Sequence, residues 1–238
     1  METSPWSTHN PPRLSITQGT PGDYRALAHQ HYRAAAPATI ALILAAQLDD
    51  TLVGVLVVSM PTLNAAWRDA AFPVLCDLSR AQRAHWINHN IRVISRLIVE
   101  PAQRGTGVAT ALVRAYLARP LTRYTEAIAA MARWSPFFRH AGMRELITPT
   151  CKRDARLARE LRTLGVVAWR LSDVRLARRA VRIAAVRIAI ERWAKGSRAT
   201  RGLDGPAWQR AVLAAQRISA PPRVFVHDSR DKLNSEGK

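Results

Sequence analysis

Cysteine is nearly missing from this 238-residue chain. Only Cys76 and Cys151 occur, too few for a disulfide framework or a cysteine-rich metal cluster. A reduced, cytoplasmic setting is therefore expected. Long apolar runs are missing too. The most apolar stretch, Thr39 to Met60, is interrupted by Gln47, Asp49 and Asp50. It falls short of the ~18 uninterrupted apolar residues that a membrane-spanning helix needs. The first residues hold no basic region followed by an apolar segment, so no secretory signal is expected. Acidic residues are scarce, 17 against 36 Lys and Arg, and the formal charge is +19. Lysine is limited to Lys152, Lys195, Lys232 and Lys238, so nearly all of the positive charge is arginine. What is abundant is apolar: 48% of the residues, enough for a packed core and too many for a disordered chain. The length fits one domain with an embellishment, or two small ones.

The charge is unevenly spread. Between Cys151 and Ala220, seventeen Lys and Arg face only Asp154, Glu160, Asp173, Glu191 and Asp204. Such an excess favours a polyanionic partner: nucleic acid, anionic lipid or a phosphate-rich cofactor. A general preference for arginine on solvated surfaces would raise the charge without any partner, and composition leaves both readings open.

Residues 1–12, rich in Pro, Ser and Thr, read as a loose tail. Alternation over Arg13 to Thr17 predicts a first strand, and the Thr20-Pro21-Gly22 turn predicts a helix over Asp23 to Arg33. Thr39 to Gln47 and Leu52 to Ser59, either side of Asp49-Asp50, read as a β-hairpin. Pro61 to Asn90 is expected to hold a short helix and a long connection. Ile91 to Val99, apolar on both faces, predicts a central strand. A helix running to about Ala118 places Val108, Leu112, Val113, Tyr116 and Leu117 on one side. Thr125 to Ala132 reads as a strand, Pro136 to Ala141 as a short helix and Met143 to Thr148 as a further strand. From Thr150 the pattern turns helical, over Asp154 to Thr163, Ser172 to Ala194 and Pro206 to Ser219. In the long middle helix Val174, Ala177, Val181, Ala184 and Ile188 recur at helical spacing, while Arg175, Arg178, Arg179 and Arg182 face elsewhere. Arg223 to His227 is a short strand candidate. The expected organisation is a core over 13–149, a basic helical segment over 150–220, a strand within 221–229 and a second tail over 230–238.

Between the central strand and the helix that follows stands Arg104-Gly105-Thr106-Gly107-Val108-Ala109. Glycine permits backbone angles and close approaches that a side chain forbids. The first turn of a helix offers free N–H groups and a positive dipole end. Together they make a seat for a diphosphate. The loop lacks the spacing and the Gly-Lys-Ser/Thr of a Walker loop, and the third glycine of a dinucleotide fingerprint.

At this point the chain resembles the GNAT superfamily of acyl-CoA-dependent N-acyltransferases. Their motif, Arg/Gln-x-x-Gly-x-Gly/Ala after the fourth strand, is met at every fixed position by Arg104 to Ala109. Leu97-Ile98-Val99-Glu100-Pro101 resembles the family's strand ending. Phe137-Phe138-Arg139-His140-Ala141-Gly142-Met143 resembles its aromatic-x-x-x-Gly helix end. The resemblance covers about Arg13 to Thr148. It implies an α/β (α+β) fold: a mixed, mostly antiparallel twisted sheet with flanking helices. The basic helical segment would then be an insertion near the C-terminus, before a last strand at Arg223 to His227. It implies acetyl-CoA as acyl donor, with the diphosphate on Arg104, Gly105, Thr106, Gly107, Val108 and Ala109. The pantetheine arm would lie along Leu97, Ile98 and Val99.

The implied chemistry also needs a base for the attacking amine and a donor for the leaving thiolate. Glu126, in an otherwise small and apolar strand, is the base candidate; an ion pair with Arg96 or a solvated strand end would explain it equally. Ser95 and Ser135 are further catalytic candidates. Many relatives place a tyrosine four residues before the helix-ending glycine. Phe138 stands there instead and cannot donate a proton. That departure leaves open an alternative, a catalytically degenerate protein that binds acyl-CoA or nucleic acid. No metal site is expected: His85 and His89, four residues apart, lack a third ligand. Trp134 is expected in the core or in a cleft wall. For the acceptor, a nucleic-acid-borne amine held through Arg175, Arg178, Arg179 and Arg182 stands beside a small amine or protein N-terminus. Peripheral membrane attachment of the Ser172 to Ala194 helix is a further reading.

Overall fold

The computed structural model describes residues 13–31, 36–65, 67–130, 132, 134–148 and 150–231. The tail expected at 1–12 and most of that expected at 230–238 lie outside the described residues. The chain divides into two compact units. The first takes in the chain to Ile128, Pro136–Leu146 and Val224 onward; the second takes in Ala129–Ser135 and Ile147–Arg223.

In the first unit a sheet is built from β1 (Leu14–Gln18), β2 (Leu42–Leu48), β3 (Thr51–Ser59), β4 (Ile91–Val99), β5 (Tyr124–Ala129), β6 (Arg144–Leu146) and β7 (Arg223–Asp228). Their spatial order is β1-β2-β3-β4-β5-β7-β6. The pairs β1–β2, β2–β3, β3–β4 and β6–β7 are antiparallel, and β4–β5 is parallel. This is the mixed, mostly antiparallel class expected from the sequence. The β2–β3 hairpin turns on Asp49 and Asp50, both left-handed at φ 46° and 65°. Two consecutive positive φ values are the tight-hairpin geometry that aspartate tolerates better than bulkier residues.

Helix α1 (Pro21–Ala28) starts on a Thr20/Asp23 capping box with Pro21 in its first turn. It begins before the predicted Asp23 and ends before the predicted Arg33. After β3 come the short α2 (Arg68–Ala71), a 3-10 turn (Pro73–Asp77) and α3 (Arg80–Asn90). An 11-residue helix thus fills much of the expected connection. Its signal is the Ser79/Gln82 capping box. Helix α4 (Val108–Ala118) buries Val108, Leu112, Val113, Tyr116 and Leu117, the predicted face. It lies so close to β3 that a Cβ at Gly54 would stand 3.1 Å from both Val108 and Leu112 side chains. Helix α1 packs Tyr24 and Leu27 against Val55, Val57 and Ile98. Strand alternation puts that on the sheet face opposite α4. The short α5 (Phe137–His140) buries Phe138.

The second unit is helical: α6 (Lys152–Thr163), a 3-10 turn (Ala168–Ser172), α7 (Val174–Ala180), α8 (Ala184–Lys195), α9 (Arg198–Arg201) and α10 (Ala207–Ser219). Its core gathers Leu157, Leu161, Leu171, Val186, Ile190 and Trp193 with alanines from α7, α8 and α10. The single helix predicted over Ser172 to Ala194 is broken at residues 181–183. The break rephases the buried stripe. Ala177 stays inside, but Val174 and Ile188 are 40% and 51% exposed, and α8 buries Val186, Ala189, Ile190 and Trp193 instead. Neither Gly nor Pro marks the break, so packing overrides a continuous local pattern. Among the described residues no helix is long and apolar enough to cross a membrane.

Arg123 clamps Asp228, Nη2 to Oδ2 at 2.9 Å, tying the start of β5 to the end of β7. Burial pushes the Asp228 carboxyl up, but the Arg123 hydrogen bond, the Arg230 amide and both charges outweigh it, and the net shift is downward. A lowered native pKa gives stability that is present above the unfolded-state value and lost as pH falls through the native one. Asp228→Asn should therefore cost up to about 1 kcal/mol at neutral pH, the range for a partly exposed pair. Urea unfolding at pH 7 and below pH 3 checks this: the gap between wild type and variant should close in acid.

Candidate active site

β4 is the strand on which the site is built. It pairs with β3 from Ser59↔Val93 to Gly54↔Val99, but the register shifts between Val57 and Val58, leaving Ser95 as the extra residue of a β-bulge. With β5 it pairs only from Ile91↔Tyr124 to Ile94↔Ala127. Beyond Ile94 the two strands part like a fork. Residues 95–99 therefore present backbone polar groups on the side that β5 has left, groups that call for a hydrogen-bonding partner. Along this stretch Leu97 and Val99 are half-buried, and Ile98 is buried against α1.

The open edge leads straight to the glycine loop. Past a 3-10 turn (Pro101–Gln103), Arg104 Nε donates to Val99 O at 3.2 Å and Thr106 Oγ1 donates to Gln103 O at 2.8 Å. Gly105 and Gly107 have φ of +88° and +95°, and a Cβ on either would meet nothing within 4 Å. The glycines are thus required by backbone angle, and the space around them is open. Gly107 is the N-cap of α4, which has no side-chain cap and no acidic residue in its first turn. The orphan amides of Val108 to Thr110 and the positive dipole end are left for an external anion. Cavities of about 310 Å³ beside Phe72, Trp86 and Tyr124, and about 390 Å³ beside Val166, Val167 and Ile218, are lined by other residues.

At the closed end of the fork sits Glu126, directly opposite Val93 and 1% exposed. Its partner is Arg68 of α2, not Arg96. Arg68 Nε donates to Oε2 at 3.0 Å and Nη2 to Oε1 at 2.5 Å. The remaining Nη1 donates to the Thr62 carbonyl. Burial pushes the Glu126 carboxyl above its usual range, while the Arg68 hydrogen bonds and charge pull it back. Arg96 instead turns Nη1 to the Ser95 carbonyl at 2.7 Å. Arg68 is the residue that sequence reasoning missed. Its signal was the need itself: a carboxylate in an apolar strand demands a buried cation.

Ser95 and Ser59 form a short hydroxyl chain. Ser59 Oγ donates to Thr39 O at 2.6 Å, and the two hydroxyl oxygens lie 2.6 Å apart. With the Ser59 proton used on Thr39, the Ser95 proton serves Ser59 or the Val57 carbonyl at 3.2 Å. Ser135 is exposed in the connection between β5 and α5. Phe138 packs its ring 5.2 Å from that of Phe225 on β7 and offers no donor. Trp134, expected in the core or a cleft wall, is 62% exposed. His85 and His89 stack at 3.9 Å on α3, and His89 Nδ1 is bonded to the His85 carbonyl. Among the described residues, no three or more His, Cys, Asp or Glu come together. Arg175, Arg178, Arg179 and Arg182 are all exposed and make no ion pair with the described residues; Arg178 lies over the Trp208 ring at 4.8 Å.

The strand fork of β4 and β5 thus runs into an uncapped, glycine-turned helix start. The profile of the acetyltransferase (GNAT) family matches residues 13–133, and the chain belongs to that family. Among solved structures it is similar to the GNAT family N-acetyltransferase YhbS from Escherichia coli in complex with CoA. The identity is 18%, over 58% of this chain and 72% of that one, with a TM-score of 0.40. It is also similar to AAC(6')-Ib in complex with paromomycin and acetyl-CoA, at 15% identity over 58% and 87% of the two chains, TM-score 0.39. No curated protein matches the chain.

Removing one partner of a buried pair strands the other charge, which typically costs about 3–5 kcal/mol. Arg68→Met and Glu126→Leu should each destabilise by that much, and the double variant should recover most of it. Chemical denaturation of the four proteins measures this.

Proposed function

We propose that this protein transfers an acetyl group from acetyl-CoA to an amine nitrogen, and that a nucleic acid bears the amine. The observation that carries the first part is the continuity of the open β4 edge with the uncapped start of α4. Amides of Gly105 to Ala109 take the diphosphate, with Arg104 beside them. The open strand edge at Leu97, Ile98 and Val99, where Arg104 Nε already holds the Val99 carbonyl, orients the pantetheine arm. When bound, acetyl-CoA would supply an activated acyl carbon: the amine nitrogen bonds to it as the carbon–sulfur bond breaks, and CoA leaves as its thiolate and takes a proton from water. The bulge at Ser95 turns the backbone at the point where this exchange falls. Glu126 keeps both oxygens on Arg68 and Ser95 has committed its proton, so the amine sheds its proton to water.

The four unpaired arginines of α7 and its C-terminal turn support the second part. They lie in a segment of large positive charge, and arginine suits phosphate better than lysine because its planar fork binds two oxygens. The buried Phe138 favours a second reading: with no tyrosine at that place, the protein binds acyl-CoA without turning it over. Mass spectrometry of cellular RNA, DNA and protein after expression separates the two, since only the first reading adds an acetyl group to one of them.

Acetyl-CoA at 100 times its dissociation constant should stabilise the fold by about 2.7 kcal/mol in thermal unfolding. Gly107→Ala forces a side chain into left-handed backbone, which costs roughly 1–2 kcal/mol, and should weaken acetyl-CoA binding as the amides shift. Equal affinity in wild type and variant would contradict the assignment of this loop. Replacing Arg175, Arg178, Arg179 and Arg182 together should lower the log–log salt slope of oligonucleotide binding by up to about 3.6, since each phosphate contact contributes ~0.9. An unchanged slope would place the nucleic acid elsewhere or remove it.

A further inference from the structure

The geometry points to a second small-molecule site, apart from the strand fork, that takes a free α-amino acid with an apolar side chain. Its place is the cavity of about 310 Å³ beside Phe72, Trp86 and Tyr124. That volume lies at the small end of the ~300–1,000 Å³ typical of ligand pockets. All of its lining residues belong to the first unit.

The three rings touch one another. Phe72 lies 4.8 Å from Tyr124 and 5.6 Å from Trp86, and Trp86 lies 5.7 Å from Tyr124, between ring centroids. Phe72 is buried, while Trp86 and Tyr124 are half-buried and keep surface to offer. Rigid rings give an apolar side chain a large contact area at little cost in conformational entropy. On the sheet side, Arg144 at the start of β6 lies opposite Val226 of β7. Cross-strand partners share a face, and Asp228 falls on it two residues further along β7.

The charged lining sets the ligand class. In a chain with 36 basic and 17 acidic residues, this cavity has two carboxylates, Asp228 and Asp231, against the single guanidinium of Arg144. Asp228 is committed to Arg123. Asp231 and Arg144 are both exposed, and neither makes an ion pair with the described residues. Opposite charges that line one cavity without meeting leave a gap that a zwitterion fills. Its ammonium faces Asp231, and its carboxylate enters the planar fork of Arg144, which can hold both oxygens. A plain cation would sit against the like charge of Arg144, and a plain anion against that of Asp231.

This site is distinct from the fork. Tyr124 pairs with Ile91 at the first step of the β4–β5 ladder, and the strands part only beyond Ile94↔Ala127. Three residues of strand span about 10 Å. Glu126, buried on Arg68, lies between the two along β5.

NMR titration of the full-length protein with L-phenylalanine, phenethylamine and 3-phenylpropanoate tests this. L-phenylalanine should shift the amides of Phe72, Val74, Tyr124, Arg144 and Asp231, with a dissociation constant of about 1 mM or tighter. The amides of residues 105–110 should stay in place. Phenethylamine lacks the carboxylate and 3-phenylpropanoate lacks the ammonium, and each should bind at least threefold more weakly. Arg144→Gln should weaken L-phenylalanine at least threefold and phenethylamine not at all. Asp231→Asn should weaken L-phenylalanine equally and 3-phenylpropanoate not at all. Both replaced side chains are exposed, so the variants keep the fold. No shifts at the cavity residues, phenethylamine or 3-phenylpropanoate bound as tightly as L-phenylalanine, or either variant binding L-phenylalanine like wild type would each overturn the assignment.

Discussion

Two parallel strands that pair for four residues and then separate leave backbone groups exposed in the middle of a sheet. Such groups are costly without partners, and a fold keeps them only if something holds the strands at the right divergence. Here the restraints are local. A bulge at Ser95 bends β4 while β3 holds it on the other side. Glu126, pinned by Arg68, fixes β5 at the last paired residues. The glycine loop depends on the same arrangement, because it begins where the open edge of β4 ends.

The ion pair and the helix start solve opposite electrostatic problems. Arg68 and Glu126 are buried together and cancel each other, with the Thr62 carbonyl absorbing the third donor direction. The start of α4 is left without acid, cap or side chain, so its amides and dipole act outward. One feature lies where the fork closes, and the other is the proposed anchor for the diphosphate. The basic second unit adds a third electrostatic element. Arg175, Arg178, Arg179 and Arg182 are exposed while the core of that unit is alanine-, leucine- and tryptophan-lined.

Much of this was legible in the sequence where local chemistry is strict. Asp49-Asp50 marked the hairpin, and Gly105 and Gly107 marked the loop, because few residues tolerate positive φ. The buried face of α4 followed from helical spacing. Other features depend on contacts between distant segments, which spacing does not encode. Arg68 and Glu126 are 58 residues apart, and nothing local distinguishes Arg68 from Arg96 as the partner. The break at residues 181–183 has no Gly or Pro to announce it, and α8 turned its own stripe inward. The bulge at Ser95 is equally silent, since one extra residue in a strand is visible only against its neighbour. The helix α3 was readable from Ser79 and Gln82 but lay hidden in a stretch of mixed polarity.

The central claim is that the open edge of β4 and the start of α4 together grip one ligand. Amide hydrogen exchange with and without acetyl-CoA addresses it most directly. The account predicts slowed exchange over residues 95–99 and 105–110 as one ligand-dependent set, with the β1–β2 amides unchanged. Protection of neither segment, or of the loop without the strand edge, would contradict it.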